Sequence, residues 1–166
     1  TRPLRLSFEN ASYHITVRGN RREKIFYSDR DKEVFLKRLK EMLIKYSMIV
    51  TLIALWIIII IYLSKRLNLI YRGIHYLNSS YTNWFRNKHQ ITGLLFQGLF
   101  KSILVNADSY ALILSAYIHL NPLRAGIVRQ TEDYPWSSYL DYLSLSKYHI
   151  SDPFFILKLI DNNHSK

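Results

Sequence analysis

Apolar and polar residues alternate in YHITVRGN, residues 13–20: Tyr13, Ile15 and Val17 take turns with His14, Thr16 and Arg18. A period of two is that of a strand with one face exposed, and Gly19-Asn20 is a turn signal that closes it. The period then lengthens. Ser28 and Asp29 are helix N-cap candidates, with Asp31 and Glu33 supplying acid to the first turn. Val34, Phe35, Leu39, Met42, Leu43 and Tyr46 follow on one face of an amphipathic helix of about four turns.

Next comes MIVTLIALWIIIIIYL, Met48 to Leu63, without charge, proline or glycine. Strands are usually about five or six residues long, so this stretch suits two strands buried on both faces. No Gly, Asn or Pro marks the turn between them. Extended to Tyr46–Ser64 it gives 19 uncharged residues between Lys45 and Lys65. That is close to the roughly 20 needed for a membrane span, and a single-span basic membrane protein is the competing reading. Its wealth of Ile, Val and Thr favours strands.

Residues 73–90 read as a helix with Ile74, Leu77, Tyr81, Trp84 and Phe85 on one side and neutral or basic residues elsewhere. A strand is expected around Phe100–Val105. A helix capped by Ser109 should end at Asn121-Pro122, because the residue before proline is pushed out of helical geometry. A short helix is expected from near Trp136. The order implies an α+β sandwich, a single domain with helices against an antiparallel sheet.

Charge adds a partner class. The chain has 23 Lys+Arg against 12 Asp+Glu, a net charge of +11. Such an excess suits a nucleic-acid binder and also a membrane-surface protein. The chain has no cysteine, which removes disulfides, thiolate catalysis and zinc–thiolate sites. Thr1-Arg2-Pro3 opens no charged-then-apolar leader, so a cytoplasmic location is expected.

Four stretches are more specific: YHITVRGNRREKIF (13–26), HYLNSSYTNWF (75–85), LLFQGLFKSILV (94–105) and YIHLNPLRAGIVRQTEDYPWSSY (117–139). Together they resemble the REP-associated tyrosine transposases, relatives of the HUH-type single-tyrosine transposases of insertion sequences. The resemblance runs from about Arg2 to Leu143 with a diverged middle. It implies a ferredoxin-like antiparallel sheet with helices packed on it, spanning 1–143 as a DNA-binding domain, with 144–166 a C-terminal extension of unknown role. It further implies cutting and rejoining of single-stranded DNA beside a hairpin, by a tyrosine that becomes linked to a 5′ phosphate. A divalent cation, Mg or Mn, would assist, held by two histidines flanking one apolar residue on a central strand. Some relatives are homodimers.

Tyr117 matches the nucleophile, and Asn121, four residues on, shares its helix face and matches the assisting polar group. A phenol is a poor nucleophile at neutral pH and needs a cation or base beside it. The chain departs from the family at the metal: it contains no His-x-His. Counting between flanking motifs, which agree only to within one residue, places the missing histidines near Ile59 and Ile61, and a missing Pro-Asn near Ile57 and Ile58. Isoleucine offers no lone pair, so no metal ligands are assigned and catalysis is expected to be impaired. A non-catalytic hairpin-binding remnant is the alternative.

Arg18, Arg21, Arg22 and Lys24 are expected to pair DNA phosphates, as are Arg72, Arg86, Lys88, Lys101 and Arg124. Tyr81 and Trp84 could stack on unpaired bases, although core positions suit them better. Leu99 stands where relatives carry a basic residue. Among the histidines, His119 reads as a surface or capping residue, His14 as a replacement ligand at most, and His75 and His89 as phosphate contacts or solvated groups. Trp136 reads as a packing anchor.

Overall fold

The alternating segment forms strand β1 (Ser12–Arg18), with Tyr13, Ile15 and Val17 buried on one face. The computed structural model describes residues 11–56, 58–64 and 67–164; the first ten residues, where the resemblance begins, and Ile57 lie outside them. Gly19 follows β1, and a Cβ there would meet the Glu23 carbonyl oxygen at 2.1 Å, so only glycine allows this close reversal. A 3₁₀ turn, Asn20–Arg22, leads away from it.

Helix α1 (Asp29–Tyr46) starts at a capping box formed by Ser28 and Asp31 and ends at Ser47 in left-handed geometry. The apolar stretch then folds as two antiparallel strands, β2 (Ile49–Leu55) and β3 (Ile58–Ser64). The spanning-helix alternative is thereby corrected, since no helix among the described residues is long and apolar enough to cross a membrane. α2 (Leu67–His89) begins six residues earlier than its sequence pattern suggests.

β4 (Lys101–Val105) precedes α3 (Asp108–Arg124), whose N-cap is Ala107 rather than Ser109. α3 runs two residues beyond Pro122, because the proline removes only its own N–H and Ala125 still donates to the Asn121 carbonyl at 2.9 Å. The helix expected from Trp136 is only the single turn α4 (Tyr139–Tyr142). Trp136 to Ser138 instead run along β2: Leu55 N–H donates to the Trp136 carbonyl and Ser138 N–H to the Ile53 carbonyl, both at 2.8 Å. An edge strand's unpaired backbone groups outcompete the helix. α5 (Phe154–His164) ends the described chain.

The sheet order is β2-β3-β1-β4 with every pair antiparallel. With α1 and α2 packed together on one face, this is the ferredoxin-like β-α-β-β-α-β arrangement. The opposite face is covered at β2, where Leu52 and Ala54 meet Ala111, Leu114 and Ile118 of α3 and Ile156 of α5. β2 is thus buried on both sides, which is why it shows no alternation.

Candidate nucleic-acid interface

Strand register decides which residues share a surface with Tyr117. On β1, His14, Thr16 and Arg18 lie on the face turned away from α1 and α2. Residues directly opposite in an antiparallel pair belong to the same face. Ile58, Ile60 and Tyr62 oppose Arg18, Thr16 and His14 on one side, and Lys101 and Ile103 oppose Thr16 and His14 on the other. α3 lies over this face, and near its start the Tyr110 hydroxyl comes within 3.3 Å of His14 Nδ1. Tyr117 is seven residues further along, about 10 Å up the same flank, with Asn121 one turn beyond. The Tyr117 ring is 47% exposed and Asn121 is half-buried.

This register resolves the one-residue ambiguity in the count made from sequence. Ile59 and Ile61 oppose Val17 and Ile15, on the α1–α2 face. Positions that could serve Tyr117 are Ile58, Ile60 and Tyr62, and none is a histidine. His14 supplies an imidazole on that face; burial holds its pKa below the usual value, and its Nε2 lies 3.4 Å from Thr16 Oγ1. One imidazole among hydroxyl and aliphatic neighbours is a poor donor set for a hard divalent ion. Among the described residues no three His, Asp or Glu side chains converge on a point where a metal could sit. The residues present do not fit the cation that the family resemblance implies.

Cations of the protein's own do reach this region. Arg18 and Lys101 take positions on the Tyr117 face at the end where β1 stops and β4 starts. Arg21, Arg22 and Lys24 follow β1 and are exposed, with Arg21 and Arg22 at φ 51° and 63°, an uncommon backbone for non-glycine residues. Arg124, the last residue of α3, is also exposed. Two of the motif stretches meet here: Asn20 N–H donates to the Leu95 carbonyl and Gln97 N–H to the Arg18 carbonyl, both at 2.9 Å. The Arg18 guanidinium donates to Gln97 Oε1.

The remaining basic positions belong to α2, behind the sheet. Arg72 is exposed and Arg86 half-buried. Lys88 already has a partner, since its ammonium is 2.7 Å from Asp31 Oδ1, with His89 Nε2 3.0 Å from the same oxygen. His89 is therefore packed between α1 and α2 rather than solvated. Burial would raise the Asp31 carboxyl, but Lys88, His89 and the backbone N–H groups of Tyr27 and Ser28 outweigh it and hold the pKa at about 2. Tyr81 is core, its hydroxyl donating to the Ile25 carbonyl at 2.6 Å, and burial drives its pKa upward. Trp84 packs against the core and takes the Lys88 ammonium 5.0 Å above its ring. Trp136 is a buried anchor stacked on Tyr148.

His119 is a second correction. It is buried, not at the surface, with Nε2 2.8 Å from Ser138 Oγ and its ring against Tyr139 and Tyr142. Burial lowers its pKa to about 4, against a weaker upward pull from Asp141. Also unforeseen is a groove along α2, formed by two cavities of about 620 and 420 Å³ that share His75, Ser79 and Asn83. Its sequence signal was there: no Asp or Glu occurs anywhere in the 23 residues of α2.

No protein-family model and no curated protein matches the chain. A solved structure of a REP-associated tyrosine transposase bound to a REP hairpin does match, at TM-score 0.68 and 12% identity over 92% of each chain. The chain has the fold of a REP-associated tyrosine transposase. Coverage of 92% is about 153 of the 166 residues, so the shared transposase fold extends past Leu143, where the sequence motifs stop. α5 accordingly lends Ile156 to the cluster under α3.

Proposed function

We propose that this chain binds hairpin or single-stranded DNA at the end of the sheet where Arg18 and Lys101 flank the Tyr117 surface, and that it holds the strand without cutting it. The carrying observation is the composition of that face: two fixed cations, and aliphatic or phenolic residues where cation ligands would be required. Arginine and lysine neutralise phosphate charge without base preference; Arg21, Arg22 and Lys24 extend the same end, and Arg124 offers a further cation at the end of α3. Tyr117 and Asn121 keep the spacing of a nucleophile and its helper. Without a donor set fit to hold an activating metal ion beside the phenol, they line the strand rather than attack it. The likeness to a hairpin-bound transposase supports DNA as the partner.

Binding of a labelled hairpin oligonucleotide is expected to weaken steeply with salt. Arg18→Gln/Lys101→Gln should reduce the slope of log affinity against log salt by about 2, with a uniform loss across sequences. With manganese and a cleavable strand, a denaturing gel should show no protein–DNA adduct, and Tyr117→Phe should bind like the parent. An adduct that forms and then vanishes in Tyr117→Phe would overturn the non-cutting assignment. Absence of any salt-dependent binding would overturn the DNA assignment.

A further inference from the structure

Behind the sheet from Tyr117, α2 turns Ile70, Ile74, Leu77, Tyr81 and Phe85 inward. Arg72, His75, Ser79, Asn83 and Arg86 lie outward in steps of three or four, a row about 21 Å long. This row is the floor of the two-part groove. No acidic residue lines either part. At the Arg72 end stand Tyr46, Tyr71 and Tyr76, with the Lys45 ammonium 4.5 Å from the centre of the Tyr76 ring. At the Arg86 end the floor meets the 94–99 loop, which is hydrogen-bonded to the basic turn after β1.

A second observation points to a ligand. Asn78 is only 6% exposed and lines the smaller cavity; its amide nitrogen donates to the Leu99 carbonyl at 2.9 Å, but its Oδ1 has no donor. Arg86 lines the same cavity and its buried Nε has no acceptor. Leaving a buried polar atom unpaired costs about 1–3 kcal/mol, so a turn of these side chains toward the cavity they line, onto an occupant carrying both a donor and an acceptor, would be favoured.

We infer that the α2 groove takes an unpaired DNA strand, one base entering the cavity of Asn78 and Arg86 while the phosphates follow Arg72 and its row. This rests on the DNA-binding reading above and adds a second surface to it. The free edge of every base carries donors and acceptors together, whereas in a duplex stem the pairing edges are hidden. Phenol rings beside a cationic track are the parts that unpaired strands recognise, by stacking and charge. With all bases meeting the requirement, no sequence preference is assigned.

Ser79→Glu tests the inference, because Ser79 is exposed, belongs to both cavities and touches no part of the Tyr117 face. Affinities of the full chain are measured by fluorescence anisotropy for oligo(dT), a hairpin with an unpaired 5′ flank, and a blunt hairpin, with thermal unfolding as the folding control. Oligo(dT) and the flanked hairpin should bind at least about tenfold more weakly, with the blunt hairpin unchanged; Arg72→Gln should act in the same direction. Equal loss for all three probes, or no loss for any, would overturn the inference. So would competition by polyglutamate as strong as by oligo(dT), which would identify an acidic peptide groove. Failure of the parent to bind blunt hairpin would count against the Tyr117-face proposal alone, and a Ser79→Glu effect on oligo(dT) would still support the groove.

Discussion

Asp31→Ala is expected to lower stability by about 3 kcal/mol, read as a lower urea midpoint with unchanged slope. The carboxylate is fully buried and serves four partners: the N–H groups of Tyr27 and Ser28 at 2.7 and 2.9 Å, and the Lys88 and His89 side chains at 2.7 and 3.0 Å. It therefore caps α1 and ties the start of that helix to the end of α2. Losing a cap costs about 1 kcal/mol, and each amide left unpaired away from water adds a similar amount. Lys88 is about one-third exposed, so its released ammonium can turn to solvent, which keeps the total below that of a fully buried pair. Asp31→Asn, which retains the shape and one acceptor, should lose less than half as much.

The pH dependence follows from the direction of the shift. The folded carboxyl titrates at about 2, below its ordinary 3.8. The pairing therefore stabilises fully above pH 4 and fades as pH falls through 3.8 towards 2. Asp31→Ala should be least different from the parent at the bottom of that window. An unchanged urea midpoint at pH 7 would show that Lys88 is not held by Asp31, and Lys88 would then be free to serve as a phosphate contact.

Much of this fold is legible in local pattern. The alternation at 13–18 and the apolar face of 34–46 each carry their own period, and the structure places β1 and α1 there. The apolar run was readable as two strands by composition. Its register was not: with isoleucine at every position from 57 to 61, no polar residue distinguishes one face from the other. A shift of one residue reverses every side, and only pairing to Thr16 and His14 on β1 decides that Ile60 and Tyr62, not Ile59 and Ile61, take the register of the face turned away from α1 and α2. Partners distant in sequence were equally hidden. Nothing local to Lys88 announces an acid 57 residues earlier, and nothing local to His119 announces Ser138. The α2 groove was hinted at only by what is missing, acidic residues on an otherwise ordinary amphipathic helix.

His119→Gln should remove a loss of about 3 kcal/mol that the parent suffers between pH 6.5 and 4. The Ser138 hydroxyl oxygen accepts from Ile53 N–H at 3.0 Å and lies 2.8 Å from His119 Nε2. A charged imidazole would sit away from water, in a site walled by Tyr139 and Tyr142. Burial accordingly lowers the folded pKa from 6.5 to about 4, with Asp141 resisting. Between those values the unfolded chain binds a proton that the folded chain refuses, so stability falls as pH drops through 6.5 and the loss is complete near 4. His14, also lowered by burial, adds a loss of the same sign, so the parent is compared with His119→Gln rather than with a flat line. Because His119 lies two residues from Tyr117 and joins α3 to β2 through Ser138, the same acid step should loosen the helix that carries the phenol. DNA binding in the parent should then fall near pH 4 along with protection of the α3 amides from exchange, and His119→Gln should retain both. Identical pH profiles of unfolding free energy for the two proteins would refute this role of His119.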